Sequence, residues 1–130
     1  MRTIGYLRVS TKKQKHDRQA HALKRYCDRL FTETASGKSL DRPVYDKVKK
    51  MLDSGDELVV LDIDRAYRNT RDALNEFHVL SARGVRMRVL NFPIDLSTDE
   101  GYYSFVMENA RAELERRKIS RRTKEGLAVA

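Results

Sequence analysis

The 130-residue sequence has no tryptophan, one cysteine and two prolines, and these scarcities exclude several classes of protein. The single cysteine, Cys27, cannot form a disulfide within the chain, which argues against a disulfide-stabilised secreted scaffold. No uninterrupted apolar run approaches the roughly 20 residues of a membrane-spanning helix, and the amino-terminus lacks the apolar block of a signal peptide. We therefore expect a single cytoplasmic domain that has no membrane partner.

Acidic residues are also scarce relative to basic ones. The chain has 27 lysines and arginines against 19 aspartates and glutamates, which gives a net charge of +8. Such an excess favours a polyanionic partner, either nucleic acid or an anionic membrane. No segment combines a large apolar face with a basic one, so nucleic acid is the stronger candidate.

The first three quarters of the chain alternate between β-type and helical patterns. Strand patterns cover residues 2–9, 31–35, 58–61 and 85–90, and helical patterns cover 11–29, 42–52 and 70–82. This alternation predicts an α/β fold with a mostly parallel central sheet and helices on both faces. Cys27 and Leu30 continue the apolar spacing of the first helix, so we expect Cys27 on its buried face.

The last third of the chain predicts one long helix. Ser97-Thr98-Asp99-Glu100 fits a capping box, and no proline follows it. A helix from about residue 98 to about residue 126 would be roughly 40 Å long, more than a domain of this size can cover. We therefore divide the chain into an α/β core at 1–97 and a helix at 98–130 for oligomerisation and DNA contact.

The two halves of this helix differ in composition. The first half is broadly apolar and predicts an interface with a partner subunit, whereas the second half is basic and predicts contact with DNA phosphates. The expected interface residues are Phe105, Val106, Met107, Ala110, Leu114 and, further along, Ile119. The expected DNA contacts are Arg116, Arg117, Lys118, Arg121, Arg122 and Lys124. A solvated basic tail is the alternative for the second half.

Ser10 follows the first predicted strand and lies beside the start of a helix. The carboxyl edge of a parallel sheet is where ligands usually bind, and a helix amino-terminus favours an anion. Arg8 projects from the same strand face as Ser10, so the two predict a phosphate site. Ser10 could instead be the N-cap, but Thr11 and Gln14 fit a capping box that would leave its hydroxyl free.

A second group of charged residues follows the apolar run that ends at Leu61. Asp64, Arg65 and Arg68 come directly after this strand, and the two arginines are three residues apart. If the segment is helical, both guanidinium groups lie on one face and form an anion clamp beside a carboxylate. Arg42 supplies a third cation from the loop after the second strand. An ordinary surface ion-pair cluster is the alternative.

Taken together, these segments resemble the catalytic domain of the serine recombinases, the resolvase/invertase family. The matching segments are Tyr6-x-Arg8-Val9-Ser10-Thr11 with Gln14 and Gln19, Ala35-Ser36-Gly37 followed by Asp41-Arg42, Asp64-Arg65-x-x-Arg68, Gly84-Val85, Ser97-Thr98-Asp99, and Glu115-Arg116 to Arg122-Thr123-x-Glu125-Gly126. They follow the family's order and span essentially the whole chain.

The resemblance implies a resolvase-like fold and a metal- and ATP-independent recombinase. Ser10 would attack a DNA phosphodiester to give a 5′-phosphoserine link and a free 3′-hydroxyl. It also implies that no cofactor is needed, that double-stranded DNA is the substrate, and that a resting homodimer becomes a homotetramer in the active synapse. The other implied catalytic residues are Arg8, Arg42, Asp64, Arg65 and Arg68, supported by Tyr6, Gln14 and Gln19. A C-terminal DNA-binding domain, which the family usually has, is expected to be absent from this chain.

Two departures from the family pattern concern the loop after Arg65 and the end of the long helix. Ala66, followed by Tyr67, stands where leucine is common after the Asp-Arg pair, and Arg121 stands where relatives often have an acid.

Two rival functions stay open. Asp62 and Asp64 could alternate on a strand and hold Mg²⁺, as in a metal-dependent phosphoesterase or nuclease. Alternatively, the domain could be a non-catalytic basic module that binds nucleic acid.

Overall fold

The computed structural model describes residues 1–9, 13–34, 42–67, 70–91, 96 and 98–129. In chain order the elements are β1 (Thr3–Val9), α1 (Lys13–Lys24), β2 (Arg29–Thr34), α2 (Pro43–Met51), β3 (Glu57–Val60), α3 (Ile63–Ala66), α4 (Thr70–Ala82), β4 (Arg86–Val89) and α5 (Asp99–Val129). No helix within these ranges has both the length and the apolar character needed to cross a bilayer.

The four strands form one parallel sheet in the order β2-β1-β3-β4. Tyr6 lies opposite Phe31 on one side of β1, and Ile4 lies opposite Leu58 on the other. The chain therefore winds outward in both directions from the β1–β3 pair. In open α/β sheets, ligands bind at the carboxyl edge beside such a switch point. The predicted α/β class is confirmed.

Side chains that alternate along the strands divide the core between the two faces of the sheet. Ile4 and Tyr6 of β1 face the larger cluster, against α2, α4 and α5, whereas Leu7 and Val9 face a smaller cluster that includes Leu23 of α1. Helices therefore cover both faces, as predicted. Gly5 lies on the α1 side, where a β-carbon would come within 2.8 Å of the Cys27 sulfur.

The first helix is shorter than its apolar spacing predicts. It ends at Lys24, and β2 begins at Arg29, which pairs with Ile4 of β1. Pairing with β1 draws Leu30 into the sheet, so the apolar spacing extends beyond the helix that it predicts. The placement of Cys27 on this helix is therefore wrong: Cys27 lies half-buried in the connection to β2, with its sulfur 3.3 Å from the Leu23 carbonyl.

The cap of α5 also differs from the sequence prediction. The Thr98 hydroxyl accepts from the Gly101 N–H at 3.0 Å, so the cap is one residue later than Ser97. Ser97 lies outside the described residues. The long helix is confirmed, and its 31 residues correspond to about 46 Å.

The predicted interface of α5 contains one residue of the chain's own core. Phe105 is 1% exposed and packs against Phe77 at 5.8 Å between ring centroids, so its assignment to the interface is wrong. An apolar helical face indicates burial without revealing which surface covers it. Val106 is half-buried. The other predicted interface residues, Met107, Ala110, Leu114 and Ile119, are exposed.

Candidate active site

Two strand ends meet at the carboxyl edge of the sheet, at the switch point. β1 ends at Val9, directly before Ser10, and β3 ends at Val60, four residues before Asp64. Ser10 and Arg68 lie outside the described residues. The backbones of Gln14, Asp64 and Arg65 belong to α1 and α3, but their side chains lie outside the description. Their predicted roles stay predictions.

Arg8 lies on the same face of β1 as Tyr6, which belongs to the larger core cluster. It is half-buried, and its Cα pairs in register with that of Glu33 on β2. Its positive charge lowers the pKa of Tyr6, as does that of Arg42, against a larger effect of burial that raises it. Arg8 and Arg42 therefore both lie within electrostatic range of the Tyr6 hydroxyl. Gln19 is half-buried on α1.

Arg42 is the clearest feature of this edge. The residue is only 8% exposed, and its Nη1 donates a hydrogen bond to the Ala66 carbonyl at the end of α3. Its Nη2 is buried and has no hydrogen-bond partner among the described residues. A buried guanidinium nitrogen of this kind favours an acceptor such as a phosphate oxygen, because an unsatisfied buried donor is costly.

Glu33, which was not predicted from the sequence, caps the helix that begins beside Arg42. It is 3% exposed and accepts from the Tyr6 hydroxyl at 2.6 Å. It also accepts from the N–H groups of Val44 at 2.9 Å and Tyr45 at 3.4 Å, so it caps α2 from a neighbouring strand. Burial, together with the bond to Glu33, raises the pKa of Tyr6 and keeps its hydroxyl a neutral donor. One signal could have found it: an acid on the same strand face as Phe31.

A second buried polar group, also missed, lies between α2, α3 and α4. The hydroxyl oxygen of Tyr45 is 3.0 Å from that of Tyr67 and 3.2 Å from a carboxylate oxygen of Glu76. Lys49 pairs with Glu76 at 3.0 Å. Burial is the main cause that raises the pKa of both tyrosines. Tyr67 directly follows Ala66, one of the two departures from the family pattern.

The backbone after β3 contradicts two predictions made from the sequence of this segment. β3 ends at Val60 and Asp64 belongs to α3, so Asp62 and Asp64 do not alternate on a strand. The basis of the Mg²⁺ alternative is therefore wrong. Asp62 instead accepts from the Asn91 side chain at 2.7 Å. Likewise, α3 ends at Ala66 and Tyr67 is extended, so helical spacing does not connect Arg65 to Arg68.

The predicted DNA-contacting end of α5 is exposed to solvent. Arg117 forms an ion pair with Glu113 at 3.2 Å, one helical turn earlier. The other exposed basic residues of this segment are Arg116, Lys118, Arg121, Arg122 and Lys124. Because these cations are in solvent, they are accessible to phosphates.

A doubly wound parallel sheet with guanidinium groups at its carboxyl edge defines an α/β domain suited to holding an anion such as phosphate. Residues 3–130 match the family model described as "Resolvase, N terminal domain". The chain therefore belongs to the resolvase family, as the motifs predict.

Curated relatives with similar sequences are named as invertases and resolvases. The chain is 44% identical over 130 residues to a probable DNA-invertase of Sinorhizobium fredii, covering 99% of this chain and 43% of that protein. It is 40% identical over 131 residues to the DNA-invertase hin of Salmonella typhimurium, covering 100% of this chain and 69% of that protein. The chain thus spans less than half of the first relative and about two thirds of the second.

Solved structures of serine recombinases share the fold. The N-terminal catalytic domain of TP901-1 integrase matches with a TM-score of 0.66 at 25% identity, covering 90% of this chain and 98% of that one. A resolvase family site-specific recombinase from Streptococcus pneumoniae matches with a TM-score of 0.54 at 25% identity, covering 95% and 93%. Both agree with the architecture described above.

Proposed function

We propose that this chain is the catalytic domain of a site-specific DNA recombinase. The Ser10 oxygen forms a bond to a DNA phosphorus while the bond to the 3′ oxygen breaks, which leaves a 5′-phosphoserine link and a 3′-hydroxyl. Attack by a 3′-hydroxyl on the same phosphorus reverses the step and rejoins the strand. The observation that carries the proposal is the buried Arg42 nitrogen, which has no hydrogen-bond partner among the described residues, at the sheet edge where β1 leads into Ser10.

The residue types suit phosphoryl transfer. A serine hydroxyl must lose its proton near the moment of attack, and the rest of the catalysis comes from positioning and charge stabilisation. In this proposal the arginines bind the phosphate and stabilise its developing charge, and Asp64 orients an arginine or assists proton transfer to the leaving oxygen. The arginines are Arg8, Arg42, Arg65 and Arg68, with Tyr6, Gln14 and Gln19 in support.

The same proposal requires no metal ion, cofactor or ATP. The phosphoserine link retains the energy of the broken phosphodiester, so rejoining needs no external source. Guanidinium groups supply the charge stabilisation that a metal ion supplies in other phosphoryl-transfer sites. Relatives from bacteria and phages support a cytoplasmic location.

The α5 helix has two roles in the proposal, assembly and DNA contact. Its exposed apolar residues, including Met107, Leu114 and Ile119, form a subunit interface in a resting homodimer and an active homotetramer. Its basic end binds the phosphates of double-stranded DNA. The division into a core at 1–97 and a helix at 98–130 belongs to the same proposal.

The test is a covalent adduct with DNA. The protein is incubated in excess EDTA with end-labelled fragments of the DNA that surrounds its gene, then denatured in SDS and separated by electrophoresis. Wild-type protein is expected to retain label, and Ser10→Ala is expected to lose it while keeping a wild-type circular dichroism spectrum. Ser81→Ala, at an exposed position of α4, is the matched control and is expected to keep the adduct.

Three results would contradict the proposal. An adduct that survives Ser10→Ala would show a different nucleophile. Cleavage that strictly requires Mg²⁺ would support the metal-dependent alternative. Salt-sensitive DNA binding by wild-type protein without any adduct would support the non-catalytic module.

A further inference from the structure

The mechanism above leaves unexplained why three tyrosines are buried next to one another beside the arginines. Tyr6, Tyr45 and Tyr67 are 1%, 4% and 1% exposed. Their rings pack edge to face, with centroids 5.0 Å apart for the first pair and 5.6 Å for the second. Phenylalanine would provide the same ring packing without burying a hydroxyl, and a buried hydroxyl is unfavourable unless it is hydrogen-bonded. The hydroxyl groups therefore require an explanation of their own.

The hydroxyl groups of Tyr67 and Tyr45 form two consecutive hydrogen bonds that lead to Glu76. The Glu76 carboxylate, which pairs with Lys49 at 3.0 Å, can only accept. Tyr45, 3.2 Å from that carboxylate, therefore donates to Glu76 and accepts from Tyr67, whose oxygen is 3.0 Å away. These two hydrogen bonds link the end of α3 to α2 and α4.

These hydrogen bonds end next to the backbone carbonyl that Arg42 contacts. The Ala66 carbonyl accepts the hydrogen bond from Arg42, and Tyr67 directly precedes Arg68 in the sequence. Tyr67 is extended at φ −129° and ψ 153°, so α3 does not continue through it. Its buried side chain anchors the end of α3, next to the Ala66 carbonyl that Arg42 contacts.

We infer that the Tyr67 hydroxyl, which Tyr45 holds and Glu76 in turn fixes, is a positioning group that aligns Arg42 on the phosphate. The inference rests on the proposed function. Small misplacements of charge-stabilising groups slow a reaction strongly, by as much as about 10²-fold for 1 Å. Removal of the hydroxyl with retention of the ring should allow a smaller shift, so we expect Tyr67→Phe to lower the rate of adduct formation roughly tenfold.

The experiment measures single-turnover adduct formation in the full chain as a function of DNA concentration, with labelled fragments of the DNA around its gene. Tyr67→Phe is expected to lower the maximal rate about tenfold while the half-saturating DNA concentration stays within about twofold. Tyr102→Phe is the matched control: it removes a hydroxyl that lies 3.0 Å from His78 on the α4–α5 contact, and its rate is expected to equal that of wild type.

A merely structural role is separated by combining the change with Arg42→Ala. If Tyr67 acts through arginine alignment, Tyr67→Phe will slow the Arg42→Ala protein much less than it slows wild type. If the two effects multiply in full, the inference is overturned. Should Tyr67→Phe fail to fold, Tyr45→Phe carries the same prediction, because it removes the acceptor of the Tyr67 hydroxyl.

The failures of the two proposals are distinguishable. If wild-type protein forms an adduct and Tyr67→Phe forms it at the same rate, the positioning role is wrong and the recombinase function stands. If wild-type protein forms no adduct with these fragments, the proposed function fails and the inference fails with it.

Discussion

The two ends of the sheet use arginine in opposite ways. At the amino end, Arg2 contacts Asp56 at 2.9 Å and Asp53 at 3.1 Å and donates to the Met51 carbonyl at 2.5 Å. At the carboxyl end, Arg42 donates to one carbonyl and keeps a buried nitrogen without a partner among the described residues. An arginine whose nitrogens bind groups of the chain stabilises the fold, whereas a nitrogen with no partner in the described part of the chain has a hydrogen bond left for a ligand.

At the amino end of the sheet, Asp56 and Arg83 each form several hydrogen bonds within the chain. Asp56 accepts from the N–H groups of Asp53 at 2.9 Å and Arg2 at 3.0 Å, and these bonds are the main cause that lowers its pKa to about 2. Arg83 donates to the carbonyls of Lys49 at 2.9 Å and Leu52 at 2.5 Å, at the end of α2 opposite to Arg42. The two ends of one helix thus give a matched pair of arginines, one structural and one proposed to be catalytic.

The largest expected effect distinguishes these two arginines. Arg42→Ala should lower the rate of adduct formation by about 10²–10³-fold, the usual loss when one charge-stabilising donor is removed. Arg83→Ala should leave that rate unchanged in folded protein and lower the melting temperature, because two helix-terminal carbonyls lose their donor. Single-turnover assays and thermal melts of both variants test the comparison. Equal adduct rates for Arg42→Ala and wild type would break it.

A smaller effect is expected at the turns of the amino end. Gly84 has φ +78°, and a β-carbon there would come within 2.3 Å of the Ser54 hydroxyl oxygen and 3.2 Å of the Ser54 β-carbon. Gly84→Ala should therefore lower the free energy of unfolding by about 2–3 kcal/mol, from backbone strain plus steric overlap. Urea denaturation measures this loss.

Gly55 is the control for the strain alone. It has φ +93° but open space around the β-carbon position, so Gly55→Ala should cost only about 1 kcal/mol. Equal losses for Gly84→Ala and Gly55→Ala would contradict the steric argument. Neither change should alter adduct formation by folded protein, because both lie at the structural end of the sheet.

The smallest expected effect is a pH dependence that arises from Asp56. Its pKa is about 2 in the folded chain and about 3.8 without these interactions. A carboxyl group whose pKa is lowered by folding stabilises the folded state at pH values above its pKa in the unfolded chain. This contribution should therefore be complete above about pH 4 and should decline as the pH falls toward 2. Urea midpoints between pH 2 and 5 should fall less steeply for Asp56→Asn than for wild type. Identical slopes would show that Asp56 does not carry the effect.

The alternation of patterns was sufficient to predict the α/β class, because each element carries its own periodicity. The end of α1 was not predictable, since Leu30 continues the helical spacing while its partner, β1, lies far away in the sequence. The same limit applies to Phe105, whose apolar character predicts burial without indicating that Phe77 covers it. Local patterns report which residues are buried and leave their partners open.

The candidate site divides in the same way. Arg8 and Arg42 could be proposed because residue type and position at strand ends favour an anion site. The roles of Glu33 and Tyr67 could not be predicted, even though an acid on the strand face of Phe31 is a signal, because those roles depend on contacts with α2 that join residues 11 to 22 positions apart. The burial of Arg42, which makes its free nitrogen informative, is likewise a property of tertiary packing.

The central claim is that the carboxyl edge holds a phosphate for attack by one serine. Its most direct test is peptide mapping by mass spectrometry of the protein after reaction with DNA and nuclease digestion. We expect a nucleotide remnant joined through a 5′-phosphate to the side-chain oxygen of Ser10. A remnant attached to any other side chain would contradict it.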